Sequence, residues 1–505
     1  MKTVVVEKNR YVDSVSLMGV SDRVMSLEGV ENVEAQMATP ANRRLLELLG
    51  YCLPENVGAN DLVIAVTGEE AACADAVKMV KDIIDRKNVT GETHYPDIDR
   101  IDMEQTPYDL CQISLPGEYA TEEAIKAMEK GMDIFLFSDN VSLEEERMLK
   151  QFGQKHGRLV MGPDAGVALI GGVALAAGSI LLDGPVGIVA ASGSGAQEVG
   201  CILEKCGVGV SAIIGTGGRD LYPQIGGVTM LEGIRRMEAD AQTKVIVLVS
   251  KMADLTVMDR VLTVADGCSK PVVAVFLGSD ESLFAGHKVK GTFSLEECAV
   301  EAAKLVGGDV SAVVTTDGQL EALVAQAVEK WRPEQKYFRG LYCGGTFTEE
   351  ALQYFAGHNK AVTLYSNLSN KYSIRLENSE QSVGHSILDL GAEDFTAKAP
   401  HPVFDPGLRL KRLQQELADP EVAVVLLDFI TGPGVARDPI APFAKVCAGY
   451  PDVVFISNIC GSREDPQEVV RMEKLLADSG VIVTKSNYQS AKLASAMMNA
   501  LEGRK

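Results

Sequence analysis

The stretch richest in possible chemistry is Gly187-Ile-Val-Ala-Ala-Ser-Gly-Ser-Gly-Ala-Gln-Glu198. Its apolar run, Val186 to Ala191, predicts a buried parallel strand. Ser192-Gly-Ser-Gly195 breaks that run, and a helical pattern follows through Glu198, Ile202 and Leu203. A strand, a turn of small residues and a helix start leave several backbone N–H groups aimed at one place. With the positive end of the helix dipole, they suit phosphate or carboxylate. Ser192, Gly193 and Ser194 are therefore either anion donors or the residues of an ordinary tight turn. Further glycine clusters end later strands: Gly215-Thr-Gly-Gly-Arg-Asp220, Cys343-Gly-Gly-Thr346 and Gly432-Pro-Gly434.

Each cluster offers candidates with a plainer alternative. Gly218 and Arg219 follow a strand end, where a guanidinium can hold a carboxylate or phosphate bidentately or make a local salt bridge with Asp220. Gly344, Gly345 and Thr346, and separately Thr431, Gly432 and Gly434, are later counterparts of the Ser192 turn. Glu198 sits one turn into its helix, to orient a donor or simply to continue the helix. Ser138 and Asn140 end an earlier strand and face a ligand or cap the next helix. His156, His358 and His385 show no metal-ligand spacing, nor do Cys201 and Cys206, so no metal site is expected.

The chain has 505 residues, 46 % of them apolar, and a net charge of −22. The charge argues against nucleic acid and anionic membranes, so an anionic small molecule must be held by local backbone donors and a few arginines. No apolar stretch reaches membrane-spanning length, and no export signal opens the chain. Ten cysteines without paired spacings read as reduced thiols of a cytoplasmic protein.

Strands are expected at Lys2 to Glu7, Val30 to Met37 and Asp61 to Val66, with a helix from Glu69 to Arg86 and a polar linker, containing His94, from Asp85 to Thr106. A strand–helix series from Leu110 to Met161 ends in Gly162-Pro-Asp-Ala-Gly166 and suits a dinucleotide-binding-like domain. From Val186 the alternation restarts, and it restarts again near Arg339, after a connection over 307–337. The last two segments read as distant copies of one plan. The expected fold is α/β: a Rossmann-like domain, which the resemblance given next implies is of CoA-binding type, followed by two flavodoxin-like domains. Its segments are 1–105, 106–183, 184–330 and 331–505, with the first two able to form one domain.

This arrangement resembles the succinyl-CoA synthetase superfamily. Residues from about 108 to 305 look like the later part of its α subunit, through Leu159-Val-Met-Gly-Pro-Asp164, the Gly187–Glu198 stretch, Gly215–Asp220 and Lys270-Pro-Val-Val273. Residues from about 337 to 500 look like the carboxyl domain of its β subunit, through Ile387-Leu-Asp-Leu-Gly391 and Leu427–Gly434. Over most of its length the chain is similar to the FdrA family. That likeness rests on Asp13-Ser-Val-Ser-Leu-Met18, Ala38-Thr-Pro-Ala-Asn42, Phe137-Ser-Asp-Asn-Val141, Gly217–Leu221, Cys343–Thr346 and Pro400-His-Pro402 with Asp405-Pro406.

The resemblance carries implications and departures. The superfamily's ATP-grasp domain and glycine-rich CoA loop have no counterpart here. Where its phosphohistidine loop would fall, the chain reads Phe284-Ala-Gly-His-Lys-Val289, and His287 is read there as a surface histidine rather than a phosphoryl carrier. The matching glutamate, Glu198, supports the phosphohistidine in that superfamily. The FdrA likeness implies a subunit of an oxamate carbamoyltransferase of purine (allantoin) catabolism, exchanging a carbamoyl group between oxamate or oxalurate and phosphate. His401 with Asp405 belongs to that pattern, and such a histidine shuttles a proton or holds its loop in shape. Phosphate, carbamoyl phosphate or CoA would be the ligand, and a homo-oligomer with other transferase subunits the assembly. The alternatives are a component of an NDP-forming acyl-CoA synthetase working with a separate ATP-grasp chain, and a non-catalytic ligand-binding subunit.

Overall fold

The computed structural model describes residues 1–8, 10, 12, 17, 20, 21, 23–25, 27, 29–54, 56–89, 98, 101, 103, 104 and 107–504. Apart from Leu17, the Asp13–Met18 motif lies outside them, as does His94 in the expected linker.

The chain divides into two units, Met1–Asp97 and Ile98–Lys505. In the first, β1 (Lys2–Glu7), β2 (Val30–Met37) and β3 (Leu62–Gly68) form an antiparallel sheet in the order β1-β3-β2. The central strand β3 is apolar and buried from Leu62 to Val66, whereas β2 alternates toward its end. Helix α1 (Pro40–Leu48) starts where the Thr39 hydroxyl accepts from Asn42 N, and α2 (Glu70–Val89) follows β3.

The second unit opens with the expected alternation. Strand β4 (Leu110–Ile113), α3 (Gly117–Glu129), β5 (Asp133–Leu136), α4 (Leu143–His156) and β6 (Val160–Met161) form a parallel sheet in sequence order. Helix α4 begins with a capping box, Ser142 and Glu145, and ends at the left-handed Gly157.

A seven-stranded sheet follows. Strands β7 (Val167–Ile170) and β8 (Val173–Ala176) make a hairpin around Gly171 and Gly172, both at positive φ. Although it falls within the expected 106–183 segment, the hairpin pairs antiparallel with β10 of this sheet. The rest is parallel: β9 (Asp183–Ala190), α5 (Gly193–Lys205), β10 (Val210–Gly215), α6 (Val228–Ala239), β11 (Val245–Lys251), α7 (Leu255–Asp266), β12 (Val272–Leu277), α8 (Glu281–Phe284), β13 (Lys290–Thr292) and α9 (Leu295–Leu305). The strand order is β13-β12-β11-β9-β10-β7-β8.

The expected connection over 307–337 contains α10 (Asp317–Lys330), which buries Leu320 and Ala327. A second seven-stranded sheet, parallel throughout, then follows. It comprises β14 (Tyr337–Tyr342), α11 (Gly345–His358), β15 (Leu364–Ser366), β16 (Ile374–Arg375), β17 (His385–Asp389), α12 (Glu393–Thr396), α13 (Gly407–Leu417), β18 (Val422–Ile430), α14 (Ala441–Cys447), β19 (Val454–Cys460), α15 (Val469–Asp478), β20 (Val481–Val483) and α16 (Asn487–Glu502). The order is β16-β15-β17-β14-β18-β19-β20.

One continuous core joins the two large sheets. Val199, Ile202 and Leu203 of α5, Cys298 and Ala302 of α9, Phe347 and Leu352 of α11, and Ala494 and Met498 of α16 all belong to it. These helices form two layers between the sheets, and each fully buried Leu, Ile or Phe contributes about 1.5–3 kcal/mol. In each sheet the first strand of its parallel series sits between later ones, β9 between β10 and β11, β14 between β17 and β18. The carboxyl ends of β9 and β14 are therefore topological switch points, where open α/β sheets leave a crevice.

Close approach restricts one loop to glycine. Gly217 has a φ of +82°, and a Cβ there would strike the Pro163 carbonyl, whereas Gly218 beside it faces open space. Gly217→Ala should cost about 2–4 kcal/mol in urea unfolding and Gly218→Ala under about 1 kcal/mol.

Candidate functional site

The two switch points face each other. At the end of β9, Ser192 caps α5, its Oγ accepting from Gly195 N at 3.0 Å. At the end of β14, Gly344 begins α11 in extended backbone with no side-chain cap. Ser192 Oγ and Thr346 Oγ1 lie 2.8 Å apart, so the two helix starts meet head to head. Gly193, Ser194, Gly344 and Gly345 are half-buried, and a Cβ on Gly344 would come within 3.9 Å of Ser194 Oγ. First-turn amides have no acceptor inside their own helix, so the amides of Gly193, Ser194, Gly345 and Thr346 are donors suited to one shared anion.

Two buried glutamates fix this opposition. Glu198 stands six residues after Ser192, and Glu350 six residues after Gly344. Glu198 Oε1 accepts from Asn487 N at 2.8 Å, at the start of α16 beside the second large sheet. Glu350 Oε1 accepts from Leu295 N at 2.8 Å, at the start of α9 beside the first. A helix of each sheet thus supplies an acceptor to a helix start of the other. Asn487 Nδ2 donates to Glu350 Oε2 at 2.7 Å, and Glu296 accepts from Gln489 Nε2 at 2.7 Å. Burial pushes the Glu350 carboxyl up to about 8, with Leu295 N–H and Asn487 opposing it and Glu198 and Glu296 adding to it. Burial raises Glu198 and Glu296 as well. Glu198 thus engages α16 through Oε1, while its Oε2 is buried without a hydrogen-bond partner.

The other turns do different work. Of the two later counterparts of the Ser192 turn, Gly344–Thr346 faces it, and Thr431, Gly432 and Gly434 pack elsewhere. Gly432 N donates to Gln467 Oε1 at 3.1 Å, and Gly432 and Gly434 lie flat against the carbonyls of Ala176 to Gly178. The two turns still share α5, because Gln197 Nε2 donates to Thr431 O at 2.7 Å. Here glycine serves close backbone contact, and the Gly432 amide is already paired.

Arg219 likewise holds protein groups. Its Nε pairs with Glu146 at 2.8 Å and its Nη2 donates to Val141 O. Asp220 accepts from Thr229 N and Met230 N, capping α6, and from Lys150 Nζ at 2.7 Å. Lys150 also meets Glu146 at 3.0 Å, making a buried four-residue network. Gly218 is exposed beside it. At the end of β5, Ser138 is buried with a hydroxyl that has no partner, and Asn140 is exposed at a φ of 56°.

His401 is half-buried, its Nδ1 accepting from Val403 N at 3.2 Å and its Nε2 close over Gly391. Burial lowers its pKa, and the Asp428 charge partly offsets this. Asp405 is exposed and accepts from Gly407 N at 2.8 Å, opening α13. His287, expected at the surface, is only 12 % exposed and binds Asp266 at 2.8 Å through Nδ1.

Sequence reasoning missed Glu350, Lys251 and Asp389. Glu350 was legible in principle, because Gly344 to Glu350 repeats the spacing of Ser192 to Glu198. Lys251 and Asp389 arrive from neighbouring strand ends, which only the strand order brings together.

Comparison with known proteins fits this architecture. The chain is 37 % identical over 504 residues to YahF of Escherichia coli (strain K12), covering 97 % of both chains. The chain belongs to the YahF family. Within that family's length, residues 1–97 match the family described as AllF, heavy metal-associated domain, and residues 341–497 match CoA-ligase. A dinucleotide-forming acetyl-coenzyme A synthetase of Ca. Korarchaeum cryptofilum is similar over 81 % of this chain and 85 % of its own, at 16 % identity and a TM-score of 0.29. ATP citrate lyase of Methanothrix soehngenii covers 80 % and 83 %, at 13 % identity and a TM-score of 0.31. Likeness that weak decides nothing about chemistry.

The heavy-metal description of the first unit does not fit its described residues. The Cys73 thiol is buried against the carbonyls of Met1 and Val66, and Cys52 is exposed. Among the described residues no group of three or more His, Cys, Asp or Glu is placed to hold a metal, and no helix is long and apolar enough to cross a membrane.

The glutamate caps generate a pH test. With its folded pKa raised from 4.5 to about 8, Glu350 contributes stability that is complete below the unfolded value and lost as pH rises through the folded one. Urea unfolding should show stability falling between pH 5 and 9. Glu350→Gln should flatten that slope, and an unchanged slope would remove Glu350 as its source.

Proposed function

We propose that the chain is the acyl-transfer component of a CoA-ligase-type enzyme, holding phosphate or an acyl phosphate between the first turns of α5 and α11. The observation that carries this is the head-to-head contact of Ser192 and Thr346, which sets two sets of first-turn amides around one opening. In a chain of net charge −22, such local donors are what an anion needs. The CoA-ligase match covers the half of the site built on α11. The two large sheets are joined by about thirty residues, of which α10 supplies 14.

A second reading, carbamoyl transfer between oxamate or oxalurate and phosphate within a multi-subunit FdrA-type complex, is favoured by the placement of His287. That residue pairs with Asp266 and Asp259 instead of reaching the facing turns, and direct carbamoyl exchange needs no phosphoryl carrier. Both readings use an acyl phosphate at the same opening.

Gly193→Asp tests that opening. The nearest atom to a Cβ there is Val167 Cγ2 at 3.4 Å, so the fold tolerates the change while a carboxylate occupies the anion's place. Charge-assisted hydrogen bonds contribute about 1.5–3 kcal/mol each, so the variant should lose at least about tenfold in calorimetric affinity for acetyl phosphate and carbamoyl phosphate. Equal affinities would remove the site. A response to oxamate with carbamoyl phosphate, and none to CoA, would select the second reading.

A further inference from the structure

Beside each switch point the neighbouring strand delivers one charged side chain. Lys251 ends β11, next to β9, and Asp389 ends β17, next to β14. Both approach the first turn of α11. A Cβ on Gly345 would lie 3.0 Å from Asp389 Oδ2 and 3.5 Å from Lys251 Nζ, so glycine keeps that point empty between them. Asp389 is firmly set: its N and O bond Asn367 at 2.9 and 3.0 Å, and its Oδ1 accepts from Gly391 N at 2.9 Å. Its Oδ2 is left for the opening. Lys251 pairs with Glu349 at 2.8 Å and is 39 % exposed.

We infer that Lys251 and Asp389 contact the ligand of this opening, Lys251 as the cation for a phosphate-type oxygen and Asp389 as a protonated carboxyl that donates to it. The inference rests on the reading of the facing turns as an anion site, and it makes binding depend on pH. An ionised carboxylate beside a phosphate repels it, whereas a carboxylic acid donates a hydrogen bond. Burial pushes the Asp389 carboxyl up to about 6; Gly391 N–H and Lys251 oppose that, and Asp428 adds to it. The other groups around it are Asp428 of β18, paired with Arg409 of α13 at 2.9 Å, the Cys343 thiol at 3.0 Å from Asp428, His401, and the Lys251–Glu349 pair.

Sulfate is the probe, because it stays a dianion where phosphate titrates. Calorimetric titration of the full chain should show sulfate bound about tenfold more tightly at pH 5 than at pH 8. Asp389→Asn keeps an oxygen for Gly391 N; it should retain the affinity seen at pH 5 and lose the pH dependence. Lys251→Met should weaken binding about tenfold at both pH values, and Lys251→Arg should restore it. A slope that survives in Asp389→Asn but vanishes in His401→Gln overturns the assignment to Asp389. Full affinity in Lys251→Met overturns the assignment to Lys251. Sulfate binding abolished by Gly193→Asp but independent of pH leaves the anion site standing and overturns Asp389 alone. No sulfate binding by the wild-type chain at any pH overturns the anion site and this inference with it.

Discussion

The crossed caps of Glu198 and Glu350 are the interaction on which the rest of the large unit depends. A helix start buried without a partner leaves amides that cost free energy, and both α9 and α16 start inside the core. Ser294 and Ser486 cap these helices locally, and the amides of Leu295 and Asn487 receive their acceptors from a helix of the other large sheet. Separating the two sheets would leave those two amides and two buried carboxyls without these partners. Since Glu198 and Glu350 stand at the same distance from their own helix starts, the same contacts that join the domains hold the starts of α5 and α11 against each other.

That arrangement explains the division of labour among the glycine-rich turns. Two turns have their groups engaged by other parts of the chain: Asp220 closes α6, and Gln467 holds Gly432. The turns at the two switch points keep unused amides, because small residues there leave the opening clear. Electrostatics add the same distinction. Arg219 and Lys150 sit in a buried network with Glu146 and Asp220, where removing one partner would strand a charge. Lys251, by contrast, is partly exposed and pairs with Glu349.

Much of this was legible in the sequence, and the failures have physical causes. The apolar runs at Val186 and Val422 give buried parallel strands, and the Ser192 turn is located by its small residues alone. Which of its two later counterparts faces it was not legible, because glycine content does not distinguish an open donor turn from a backbone packed against Ala176–Gly178. The hairpin at Gly171-Gly172 was hidden in an apolar run that lacks polar punctuation. His401 and Asp405 are close in sequence, yet Asp405 turns outward to start α13 while His401 leans over Gly391. Asp389 and Lys251 could not be chosen from sequence, since what selects them is adjacency to β14 and β9 in the sheets.

The most direct test is anomalous diffraction from crystals of the chain soaked in selenate. A selenium peak within hydrogen-bonding reach of the amides of Gly193 or Ser194 and of Gly345 or Thr346 is the expected result. A well-occupied peak elsewhere, with none between α5 and α11, would contradict the shared anion site.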